Sequence, residues 1–157
     1  MAEKDIPTNI NKYPHKFFEH VRWGDTDGYQ HVNNVSISRY FESARVSIIR
    51  DIESKEFSLV IVNFTINYYS QIFYPNKIII GSFISKIGGS SITIIQALFI
   101  KNKCKSTAKS IMAYADLKNE KAQKIPEDLK FKLRESNIYG ASDETWTRDP
   151  RYHKPVL

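Results

Sequence analysis

The chain has 157 residues, with 41% hydrophobic residues, 25% charged residues and a formal net charge of +6. That length suits one domain with a single core. No apolar run approaches the ~20 residues that cross a bilayer. The polar N-terminus excludes a secretory signal, and the single cysteine excludes an internal disulfide, which together predict a cytoplasmic protein. The basic surplus suits an anionic partner, but the lysines are spread out, so no nucleic-acid patch is expected.

Residues 1–15 read as a poorly ordered lead-in around Pro14, and residues 16–135 as the folded domain. "HKFFEHVRWG" alternates aromatic, polar and β-branched residues and predicts a first strand. Gly24 to Val32 is a loop rich in turn formers. A helix of ~18 residues, ~27 Å long, should start near Asn33 or Asn34, either of which can cap it. Ile37, Tyr40, Phe41, Ala44, Ile48 and Ile52 make its apolar stripe, with Val35, Val46 and Ile49 off it. A helix that apolar needs a large cover. Four β-rich runs, dominated by isoleucine, valine, threonine and tyrosine, supply it, at residues 58–70, 76–88, 91–102 and 105–117. Their short connections predict antiparallel pairing. A polar link follows, then a short helix with Pro126 at its first position. The fold class is α+β, about five antiparallel strands with one long central helix. Residues 136–157 lack an apolar period and read as a disordered tail.

The stretch "RWGDTDGYQHVNNV" is the chemical anomaly. Two aspartates, one histidine and two asparagines fall between Asp25 and Asn34. One aspartate is expected to close the turn through its own backbone, leaving the other to face a pocket. The first N–H groups of the long helix point back at this loop and carry a partial positive charge of ~0.5. A carboxylate facing such a helix end is a layout for acyl transfer: the donors hold an oxyanion while the carboxylate attacks or activates water. His31 is an acid/base, a substrate hydrogen-bond donor or a loop brace. Asn33 and Asn34 are caps whose backbone N–H groups lie where an oxyanion would bind. Glu42 and Arg45, three apart on the helix, are expected to pair with each other, although Glu42 beside the stripe is also a candidate second carboxylate. No metal-ligand spacing is present.

"VRWGDTDGYQHVNNVSISRYFESAR" resembles the signature of the hydroxybenzoyl-CoA thioesterase-like family of hotdog proteins, which includes bacterial acyl-CoA thioesterases. The shared pattern is Asp25-Thr26-Asp27, then His31-Val32-Asn33-Asn34, then Tyr40-Phe41-Glu42-Ser43-Ala44-Arg45, and the likeness extends over residues 16–135. It implies a sheet wrapped around the helix and thioester hydrolysis. It implies Asp27 as nucleophile or general base, a carbonyl-polarising backbone N–H near Asn34, and a site at the interface of a homodimer or homotetramer. His31 completes the catalytic set. Asn33, Ile37 and Glu42 are the expected substrate-binding residues. No cofactor is implied, since CoA is part of the substrate. Ile37 stands where many relatives have tyrosine, which makes the acyl pocket more apolar. Gly88 and Gly89, with Lys86, Lys101 or Lys103, are candidates for the CoA phosphates. Two other readings compete: an acyl-thioester dehydratase using His31 and Glu42, and a non-catalytic acyl-CoA-binding module.

Overall fold

The computed structural model describes residues 6–50 and 57–140. Strand β1, His15–His20, is shorter than expected. The chain leaves it because the Asp25 carboxylate accepts the Arg22 N–H at 2.8 Å and bends residues Trp23–Asp25 into a single 3-10 turn. Helix α1 covers Asn34–Ile49, 16 residues, with Asn33 as its N-cap. Its stripe is buried as the 3.6-residue period requires: Ile37, Tyr40, Phe41, Ala44 and Ile48. Ile49 is buried as well, whereas Val35 and Val46 stay exposed. Ile52 lies outside the described residues. Burial of Ile37, Phe41 and Ile48 stabilises the fold by about 1.5–3 kcal/mol each relative to exposure.

Strands β2 (Phe57–Tyr68), β3 (Lys77–Ile87), β4 (Ser91–Ile100) and β5 (Lys103–Asp116) follow. The sheet order is β1-β3-β4-β5-β2, every neighbouring pair antiparallel. The β4–β5 turn needs only Lys101 and Asn102, both at positive φ, the twist that suits a two-residue hairpin. A two-residue strand β6, Lys121–Ala122, pairs with β5 inside the link expected to be irregular. Helix α2 covers Glu127–Glu135. Pro126 caps it from outside rather than occupying its first turn.

Helix α1 lies against β1, β3 and β4. β2, at the far edge, leaves its inward Phe64 and Ile66 only partly covered. Two apolar clusters fill the space under the helix. One joins Val32, Ile37, Tyr40, Phe41 and Ile72 to Ile80, Leu98 and Ala108. The other joins Ile48 and Ile49 to Ile84, Ile94 and Met112, and α2 closes it with Leu133. This is the hotdog arrangement of a curled sheet around a central helix.

The lead-in and the tail both depart from expectation. Residues 6–13 cover the outer face of the sheet, where Ile6 and Tyr13 seal Phe83, Ile95, Ala97 and Phe99. The Tyr13 ring packs 5.4 Å from Phe83 and 5.7 Å from Phe99, and its hydroxyl donates to the Pro7 carbonyl. Gly81 permits this approach: a Cβ there would stand 2.5 Å from Tyr13 Cβ. At the other end, residues 138–140 join the edge of β3. β1 reaches β3 only as far as Ser82, and Ile84 then donates to the Ile138 carbonyl at 2.7 Å and accepts from Gly140 at 2.8 Å. Ile138 and Tyr139 pack on the second cluster, so the tail reading fails over residues 136–140. Residues 141–157 lie outside the described residues.

Candidate active site

The polar stretch closes into a loop at the head of α1. Thr26 pairs with Val32, the Asn33 N–H donates to the Asp25 carbonyl at 2.9 Å, and the Asp27 N–H donates to the His31 carbonyl at 2.8 Å. His31 and Val32 also tie to Phe73 and Ile72 after β2, so the loop is clamped to the sheet. Rigid anchors of this kind hold side chains that loops would otherwise leave loose.

The two aspartates have different surroundings. Asp25 is braced on two sides: its Oδ2 accepts from the Arg22 N–H and, at 2.5 Å, from the Tyr40 hydroxyl. Burial, and then that bond to Asp25, push the Tyr40 hydroxyl well above the ordinary phenol range, so it remains a donor. Asp27 makes a local turn as well, its Oδ1 accepting the Tyr29 N–H at 2.8 Å. Its Oδ2 lies 3.4 Å from His31 Nδ1, and a third of the side chain (34%) stays accessible. Both carboxylates therefore serve the loop, where only one was expected to, and Asp27 is the one with an oxygen left toward solvent and His31.

At the helix start, Asn33 Oδ1 accepts from Val35 at 2.8 Å and from Ser36 at 3.2 Å. The Asn33 carbonyl accepts the Ile37 N–H. Among the described residues the Asn34 N–H meets no acceptor, and it points out of the helix end with the dipole behind it. A reachable carboxylate and a free helix-end donor thus flank one loop. His31 stacks on Tyr29 and meets Phe73 edge-on. Trp23, Tyr29, Phe73 and Tyr74 surround the loop and are exposed, with Trp23 and Tyr74 in edge contact. Sequence reasoning missed this aromatic rim, because those residues belong to no periodic element. It also read Tyr40 only as core; a hydroxyl on a helix stripe was the available signal.

Ile37 is buried beneath the helix start. Glu42 does not join the site. It is exposed two turns along α1, ~12 Å from Asn34 at 1.5 Å per residue. Its charge acts on Arg45, but no close ion pair forms, because Arg45 turns inward to Gln96 and the Phe64 ring. Gly88 spends its N–H on the Ser91 carbonyl, so it is not a free anion donor. Among the described residues no group of histidine, cysteine and acidic side chains could hold a metal, and no helix is long and apolar enough to cross a membrane.

The profile of the thioesterase-like superfamily matches residues 21–133, from the end of β1 into α2. The chain is 27% identical over 121 residues to the long-chain acyl-CoA thioesterase FadM of Escherichia coli, covering 72% of this chain and 92% of that one. Its fold superposes on the PA5185 protein of Pseudomonas aeruginosa with a TM-score of 0.71 at 23% identity, covering 80% of this chain and 92% of that chain. A predicted thioesterase from Bacillus stearothermophilus superposes with a TM-score of 0.68 at 26% identity, covering 77% and 96%. A family match over most of the folded chain, joined to a carboxylate at the head of the wrapped helix, makes this chain a thioester hydrolase that belongs to the thioesterase-like superfamily.

Proposed function

We propose that the chain hydrolyses acyl-CoA thioesters to a carboxylic acid and free CoA, with Asp27 as nucleophile or general base and the Asn34 backbone N–H as oxyanion donor. The observation that carries this reading is the accessible Asp27 carboxylate, fixed by the Tyr29 N–H, beside a helix head with an unspent donor. As general base, Asp27 takes a proton from water while the water oxygen attacks the thioester carbon. The carbonyl oxygen becomes an oxyanion on the Asn34 N–H. Collapse expels the CoA thiolate, which leaves as the thiol. As nucleophile, Asp27 forms a mixed anhydride that water then opens. His31, 3.4 Å from the carboxylate, orients it or the substrate. Asn33 holds the donor by capping, and Ile37 lines the acyl side. CoA enters as substrate, and the scheme uses no cofactor. The similarity to FadM supports acyl-CoA as the thioester.

The reading includes a homodimer or homotetramer in the cytoplasm. The aromatic rim and the half-covered inner face of β2 favour assembly, because apolar surface of that kind marks interfaces. The dehydratase reading has less support, because Glu42 is exposed on α1 about two turns beyond the head loop. The test is thiol release over short, long and aromatic acyl-CoAs. Release well above background on at least one class is expected, and background rates on all of them overturn the proposal. A single turnover in oxygen-18 water tests for an anhydride opened at the aspartyl carbon: label entering the Asp27 carboxylate marks it, whereas label only in the product fits both the general base and an anhydride opened at the acyl carbon.

A further inference from the structure

The inner face of the sheet changes character halfway along. Each central strand reads apolar, polar, apolar at inward positions: Ile80-Ser82-Ile84 on β3, Leu98-Gln96-Ile94 on β4 and Ala108-Ser110-Met112 on β5. Ser82 pairs directly with Gln96, and Ser110 stands opposite both Ile94 and Phe64. All three polar side chains are fully buried, and Arg45, 6% exposed, comes down from α1 to Gln96. Gln96 donates to the Phe41 carbonyl at 3.1 Å and to Ser82 Oγ at 3.0 Å. Arg45 Nη1 donates to Gln96 Oε1 at 3.3 Å, and its guanidinium lies 4.5 Å from the Phe64 ring centroid.

This belt is under-satisfied. Buried charges are normally paired, yet among the described residues no carboxylate closes an ion pair with Arg45, and the Glu42 charge acts on it only across a longer gap. One of the five N–H donors of a guanidinium is spent on protein. Ser110 Oγ is sealed and has no partner. The belt is also in line with the site. Arg45 is eleven residues beyond Asn34 on one helix, about 16 Å at 1.5 Å per residue. The partly covered Ile66 and Phe64 of β2 flank that length.

We infer that the Arg45, Gln96 and Ser110 belt is the distal end of the acyl site and selects acyl groups that carry a carboxylate at the end far from the thioester. This rests on the thioesterase reading above. A carboxylate is the group that matches a fixed planar fork with unspent donors. The intervening methylenes would run along the partly covered Phe64 and Ile66 of β2.

The test compares two CoA thioesters of equal long chain length, one ending in a methyl group and one in a carboxylate. The wild-type kcat/KM favours the carboxylate by about 10- to 100-fold, the range of charge-assisted hydrogen bonds. Arg45→Met removes that preference by lowering the carboxylate substrate alone, and Ser110→Ala erodes it in the same direction. If Arg45→Met does not fold, the wild-type preference and Ser110→Ala still decide. Equal wild-type rates on both thioesters, or variants that slow both equally, overturn the inference. So does loss of oligomer on Arg45→Met matched by Glu42→Gln, which would mean that a second copy supplies the acid. Calorimetric binding of both thioesters to Asp27→Asn separates the two claims: a binding preference without any wild-type hydrolysis supports the belt and sinks the hydrolytic reading.

Discussion

Asn33→Asp separates stability from catalysis at one atom. The Asn33 side-chain oxygen caps α1 through Val35 and Ser36. Aspartate is an equally good cap, and its charge suits a helix N-terminus by about 0.3–1 kcal/mol. The melting temperature should therefore hold or rise by up to about 2–4 °C at this chain length. Catalysis should move the other way. An oxyanion on the Asn34 N–H would form roughly 6 Å from the new carboxylate, and two like charges at that separation repel by about 3 kcal/mol at an effective dielectric of 20. Water at the half-open loop weakens this, so kcat in a thiol-release assay at low ionic strength should fall about 10- to 100-fold. Added salt should restore part of the loss. Asn33→Ala is the control. It removes the cap without adding charge, so it should lower the melting temperature by about 2–4 °C and cost less in kcat. An Asn33→Asp enzyme with wild-type kcat at low salt would refute an oxyanion at this helix end.

Gly81→Ala should push Tyr13 off the outer face, because the new Cβ would stand 2.5 Å from that side chain; a loss of about 1–3 kcal/mol in stability is expected, with faster tryptic cleavage after Lys12. Tyr40→Phe should cost about 1–3 kcal/mol in thermal unfolding by removing the donor to Asp25, with a smaller loss of kcat than substitutions at Asp27. His15 gives a pH dependence. Burial lowers its pKa below the ordinary 6.5, while Ser47 Oγ lies 3.2 Å from Nε2 and Nδ1 is sealed without a partner. The unfolded chain takes up the proton first, so this contribution is complete above about pH 6.5 and is lost as pH falls toward the lowered folded value. The melting temperature should drop across that window, and His15→Gln should flatten the drop.

Local chemistry and periodicity were legible in the sequence. The Asn33 cap follows from what an asparagine oxygen can accept, and the buried face of α1 follows from the 3.6-residue period. The β-rich runs became β2 to β5 because a pleated surface favours β-branched and aromatic residues. What escaped depended on distant partners. Ile6 and Tyr13 look like stray apolar residues in a polar lead-in, and only Gly81, far along the chain, shows where they dock. Ile138 joins the sheet because β1 leaves an open edge on β3, which no local pattern encodes. Glu42 and Arg45 have ideal spacing to pair, yet the rotation of the helix gives Arg45 to Gln96, 51 residues away. The Asp-Thr-Asp spacing could not apportion the aspartates. Tyr40, fifteen residues from Asp25, does that by bracing one and leaving the other.

The central claim is that the Asp27 carboxylate performs the chemistry. Asp27→Asn keeps the oxygen that accepts the Tyr29 N–H, so the loop and the melting temperature should be preserved. The account predicts that kcat for thiol release falls by orders of magnitude while acyl-CoA binding, measured by calorimetry, survives. A folded Asp27→Asn enzyme with wild-type turnover would contradict it.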